Sequence, residues 1–81
     1  MKGKILTIAG SDPSGGAGIQ ADIKTISSLG GYAMTAITAI TVQNTNTVSE
    51  VFEVPSSIVK SQIIAVLGDI GVDVIKTGMI L

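Results

Sequence analysis

Eighty-one residues make at most one small domain, and an apolar content of 46% is ample for a buried core. With no Cys and no His, disulfides, zinc sites built on those ligands, thiol nucleophiles and Ser-His-Asp catalysis are excluded within this chain. A net charge of -1 and only Tyr32 and Phe52 as aromatics provide neither a basic stripe nor stacking platforms, so no nucleic-acid partner is expected.

No uninterrupted apolar run reaches the roughly 20 residues a membrane helix needs, and Met1-Lys2-Gly3-Lys4 leads straight into a strand-like run rather than a signal peptide. No membrane association is expected, and the lack of Cys fits a cytoplasmic location.

Lys4 to Ala9 is short, nearly continuously apolar and followed by a Ser/Asp/Pro/Gly cluster, the pattern of a strand buried on both faces. Ala17 to Leu29 reads as a helix ending at Gly30-Gly31, where glycine adopts the left-handed conformation. Ala33 to Val42 is rich in β-branched residues and reads as a second buried strand, followed by a polar loop from Gln43 to Thr47. Val48 to Val54 alternates imperfectly and is a short strand. Pro55 suits the first turn of a helix that runs to Gly68, and Val72 to Thr77 is a further strand closed by Gly78.

This alternation predicts an α/β layer with a mainly parallel, twisted sheet flanked by helices. The apolar tripeptide Met79-Ile80-Leu81 directly follows a predicted central strand, and two helices are too few to cover both faces of such a sheet. Residues 1–81 are therefore expected to be the N-terminal portion of a larger domain.

At about 100° per residue, Ile19, Ile23, Ile26 and Leu29 share one side of the first helix, and Asp22 projects within the same arc. An ionised carboxylate there needs a partner or ligand, because its desolvation costs several kcal/mol, roughly. The alternative is an Asp at the rim of the arc that reaches solvent or a neighbouring loop, and helical geometry leaves both open.

The turn before this helix invites a nucleotide reading. Gly16-Ala17-Gly18-Ile19-Gln20-Ala21 fits the first half of the dinucleotide fingerprint, but no Asp or Glu lies between Asp22 and Glu50 to take the ribose. A P-loop is excluded because no glycine of the turn precedes Lys-Ser/Thr. What survives is either a turn whose amides and helix N-terminus approach a small polar ligand, or glycines that only make the turn tight. Gln43, at the carboxyl edge of the sheet with Asn44, offers an acceptor and two donors on one planar group, which suits a heteroaromatic edge or simply bonds loop backbone, as amides at strand ends commonly do. Met79, at the corresponding end of the last strand, packs well on an aromatic ring or simply belongs to the core.

The segment from Thr7 through Gly10-Ser11-Asp12-Pro13-Ser14-Gly15-Gly16-Ala17-Gly18-Ile19-Gln20-Ala21-Asp22 to Thr25, followed by Ile37-Thr38-Ala39, Gln43-Asn44-Thr45 and Lys76-Thr77-Gly78-Met79, resembles the N-terminal part of the hydroxymethylpyrimidine/phosphomethylpyrimidine kinases of thiamine biosynthesis. The resemblance covers essentially the whole chain. It implies a ribokinase-like fold and phosphoryl transfer from ATP, with Mg²⁺, to hydroxymethylpyrimidine or its monophosphate. It also implies that Gly10 and Ala17 line the pyrimidine pocket, that Asp22 and Gln43 hydrogen-bond the ring and its amino group, and that Val42 and Met79 pack on the ring. The ATP site and catalytic base of that family lie in a C-terminal part, so no catalytic residue is expected within these residues. A homodimer is implied for the full-length protein. Pyridoxal kinase, with a related substrate and the same fold, and a non-catalytic dinucleotide- or ligand-binding module are the competing readings.

Overall fold

A computed structural model describes residues 3–78. The elements run β1 (Lys4–Ser11), α1 (Gly18–Ser28), β2 (Tyr32–Gln43), β3 (Val48–Glu53), α2 (Ser56–Asp69) and β4 (Val74–Thr77). They form one four-stranded sheet in the order β3-β2-β1-β4. β1 pairs in parallel with both β2 and β4, whereas β3 pairs antiparallel with β2, giving a mixed, mainly parallel sheet. The expected parallel pairing of the strands around Ile5 and Ile75 is observed, with Ile5 opposite Val74 and Leu6 opposite Ile75.

Residue alternation along β1 distributes the packing. Leu6 and Ile8 face α2, where buried Leu6, Met34 and Ala36 are covered by Ile63, Val66, Ile70 and Val72. Thr7 belongs to the opposite set and meets α1, whose buried residues are Ile19 and Ile26. Truncating the fully buried Leu6 to Ala would cost about 2–5 kcal/mol through lost burial and the cavity left behind.

The two sides of β4 are anchored differently. Its approach is clasped to the start of β1 by reciprocal bonds, Lys4 N to Asp73 Oδ2 at 2.9 Å and Asp73 N to Lys4 O at 2.8 Å. The other edge of β4 has no strand partner among the described residues, so the expected central strand lies at the edge of this sheet.

Several boundaries differ from the sequence expectation. β1 continues two residues past Ala9, and β2 includes Gln43, because hydrogen-bonded neighbours extend both strands beyond their apolar runs. The distal part of β2 is not buried: Ile40 and Val42 are exposed where the strand meets β3, itself exposed throughout. Pro55 precedes α2 as its N-cap, and the helix passes through Gly68 to Asp69. In α1 the apolar arc is narrower than expected, because Leu29 is the C-cap residue and is 83% exposed, and Ile23 is 37% exposed. The helix runs Gly18–Ser28, one residue shorter at each end than expected, and Gly30, with a φ of 83°, closes it, Gly30 N reaching Ser27 O and Gly31 N reaching Ile26 O.

Candidate functional site

The carboxyl ends of β1, β2 and β4 and the first turns of α1 enclose a cavity of about 340 Å³. Gly10 and Ser11 come from β1, Thr41 and Gln43 from β2, Lys76 from β4, and Ala17, Gly18 and Asp22 from the turn and helix. A larger depression of about 560 Å³ lies at the start of α2, but Val54, Pro55, Val59, Ile63 and Ile64 dominate its lining. The smaller cavity carries the hydrogen-bonded charges and is the candidate site.

Backbone proximity builds its floor. Gly18 has a φ of 62°, and a Cβ there would stand 2.2 Å from the carbonyl oxygen of Gly10. Only a residue without a side chain lets α1 begin directly against the end of β1.

Asp12 shapes the turn between them. This carboxylate is 4% exposed and accepts from the Ser14 hydroxyl at 2.6 Å and amide at 2.9 Å, and from the amides of Gly16 at 3.2 Å and Ala17 at 2.9 Å. The Ser14 hydroxyl is the foremost cause holding its carboxyl below the usual range; burial opposes it, and the three amides add to the lowering. The amides expected to approach a ligand therefore already serve an internal carboxylate. Gln20 braces the same turn, accepting from Asp12 N and donating to the Ser11 hydroxyl, both at 2.8 Å.

Asp22 has partners on two strands. Thr7 Oγ1 donates to its Oδ2 at 2.5 Å, and the Lys76 ammonium forms an ion pair with its Oδ1. The Asp22 side chain is 13% exposed, against 54% for Lys76. Burial alone would raise the Asp22 carboxyl, but the bonds from Lys76 and Thr7 and the charge of Lys76 outweigh it and hold the group below the usual range. Of the alternatives left open by the helical arc, the partnered carboxylate is the one observed.

On β2, the Thr41 hydroxyl lies within reach of two acceptors, Ser11 O at 2.8 Å and Gln43 Oε1 at 2.6 Å, and its single proton is shared between them. Gln43 and Thr41 stand two residues apart and share a face. Val42 is the exception among the expected pocket residues: it lines a separate shallow depression with Ile40, Glu50, Val51 and Phe52. Strand alternation turns it away from the cavity and puts Thr41 in its place. The structure thus gathers Gly10, Ala17, Asp22 and Gln43, separates Val42 from them, and leaves Met79 outside the described residues.

Thr7, Asp12, Thr41 and Lys76 are the polar groups that sequence reasoning missed. Asp12-Pro13-Ser14-Gly15 carried a readable signal, since an Asp whose side chain bonds the amide two residues on is a common turn builder. Two-residue spacing from Gln43 pointed to Thr41. Thr7 and Lys76 required the β1–β4 register, in which they are direct partners.

Among the described residues no cluster of three or more His, Cys, Asp or Glu side chains is arranged to hold a metal ion, and the glycine turn has given its amides to Asp12. The turn amides of Ser14, Gly16 and Ala17 are thus already engaged and are not free for the phosphates of ATP. No helix among them is long and apolar enough to cross a membrane.

A mainly parallel sheet with a cavity at its carboxyl edge fits a ribokinase-like kinase, and comparison with solved structures agrees. Phosphomethylpyrimidine kinase from Clostridium difficile superposes with a TM-score of 0.93 at 56% identity, over 98% of this chain and 34% of its own. A pyridoxal kinase from Staphylococcus aureus does so with a TM-score of 0.86 at 48% identity, over 98% of this chain and 29% of its own. In sequence, hydroxymethylpyrimidine/phosphomethylpyrimidine kinase of Mycobacterium tuberculosis is 56% identical over 77 residues, which are 95% of this chain and 28% of that protein. The family model for phosphomethylpyrimidine kinase matches residues 12–81, and the chain belongs to that family. It spans about a third or less of the length of the relatives quoted.

Proposed function

We propose that the full-length protein transfers a phosphoryl group from ATP to 4-amino-5-hydroxymethyl-2-methylpyrimidine or its monophosphate, and that residues 1–81 are the N-terminal, pyrimidine-binding portion of a single ribokinase-like domain. The observation that carries this reading is the Asp22 carboxylate, held ionised in a cavity large enough for one substituted ring. Each carboxylate oxygen accepts about two hydrogen bonds, so one further site on each remains for a ring amino group. Gln43 adds a planar amide, and Gly10 and Ala17 let the ring approach backbone closely. In this proposal ATP and the divalent metal bind outside the described residues, and the groups that activate the acceptor hydroxyl lie there too. A cytoplasmic location and a homodimer, as the resemblance implies, complete the reading.

The second reading is a pyridoxal kinase, favoured by the close superposition on the Staphylococcus aureus enzyme. Steady-state phosphorylation by the full-length protein, with hydroxymethylpyrimidine, its monophosphate and pyridoxal as acceptors, separates the two. A kcat/KM higher for either pyrimidine than for pyridoxal is expected; the reverse order makes pyridoxal the substrate, and no transfer to any of the three removes both readings. Sedimentation of the same material checks the dimer.

A further inference from the structure

We propose that Lys76 is a positioning residue of this site, clamping the Asp22 carboxylate in one orientation so that its free lone pairs meet the ring's amino group. The proposal rests on the pyrimidine reading above and deepens it. Thr7 and Lys76 are register partners on adjacent parallel strands, so their side chains emerge side by side on the face that α1 covers. They grip different oxygens of one carboxylate, Lys76 at Oδ1 and Thr7 at Oδ2. Two grips on two oxygens stop rotation of the carboxylate plane, which a single donor would permit.

The charges around Asp22 leave this role to Lys76. From the turn, Asp12 is surrounded by Ser14, Gly16 and Ala17 donors. On α1, Lys24 is turned outward to Gly15 O at 2.9 Å. β1 and β2 contribute the neutral Thr7, Thr41 and Gln43. Lys76 is the one cation paired with Asp22 among the described residues. The Lys76 side chain as a whole is half exposed, so it neutralises the carboxylate without being buried itself. Removing it leaves a mostly buried acid with one hydroxyl donor. That acid binds a proton more readily, and in its neutral form it presents an O–H and rotates between orientations.

The test uses the full-length protein and its Lys76→Met and Lys76→Arg variants. Calorimetric titration with hydroxymethylpyrimidine is run between about pH 4.5 and 8, alongside ¹³C NMR titration of the Asp22 carboxyl without ligand. Lys76→Met is expected to weaken pyrimidine binding about tenfold or more, to move the Asp22 titration upward, and to make binding fail at a higher pH than in wild type. Lys76→Arg restores most of the affinity and the low titration, which a purely structural loss of β4 would not reproduce. Cooperative melting of Lys76→Met and Lys76→Arg above the titration temperature shows that the comparison is between folded proteins. Wild-type and Lys76→Met affinities within twofold, with superimposable pH profiles, overturn the positioning role while leaving the pyrimidine reading intact. Failure of the wild type itself to bind pyrimidine overturns both.

Discussion

Gly18 stands so close to Gly10 that a single added methyl carbon would lie 2.2 Å from the Gly10 carbonyl oxygen. This contact sets the first turn of α1 against the carboxyl end of β1, and with it the distance between the cavity floor and Asp22. Gly18→Ala is therefore expected to destabilise the protein by about 1–3 kcal/mol through forced displacement, with the left-handed backbone adding to the cost. Urea denaturation of the full-length protein measures this, and a variant with an unchanged midpoint would mean that α1 starts elsewhere.

A second expectation concerns acid. Asp12 and Asp22 both have carboxyls lowered by native hydrogen bonds, so they bind protons more weakly folded than unfolded. The stability they contribute is present above the unfolded value of about 4 and is lost as pH falls through the lower folded values. Melting temperature should stay level at mildly acidic pH and drop below about pH 4. In Asp12→Ala, whose turn amides lose their acceptor, the melting temperature should already be reduced at neutral pH, with faster hydrogen exchange at Ser14, Gly16 and Ala17. Equal exchange in the two proteins would contradict the role given to Asp12.

The third expectation separates neighbours on β2. Because Thr41 faces the cavity and Val42 faces away, Val42→Ala should leave pyrimidine affinity within about twofold, whereas Thr41→Val frees the Gln43 amide and should weaken it severalfold. Titration calorimetry decides it, and the opposite ranking would put Val42 on the ring.

That pair also marks how far the sequence could be read. Apolar runs and glycine punctuation located all six elements, since each is bounded by a local break in the apolar pattern. Asp22 was conspicuous because a charge stood in an apolar arc, and Gln43 because an amide ended an apolar strand. Val42 lines a separate depression, as two-residue alternation from Gln43 implies. The Lys76 partnership was hidden: Lys76 and Thr7 are far apart in the chain and meet only through the parallel register of β1 and β4. Local pattern carries no information about which residues of non-neighbouring strands face each other.

The central claim is that Asp22 anchors the pyrimidine, and isothermal titration of the full-length protein and its Asp22→Ala variant with hydroxymethylpyrimidine tests it most directly. The account predicts saturable binding to wild type, weakened in the variant by about 1.5–3 kcal/mol, the range for a hydrogen bond to a charged group, with ATP affinity nearly unchanged. Equal pyrimidine affinity in the two proteins, or a loss confined to ATP, would contradict it.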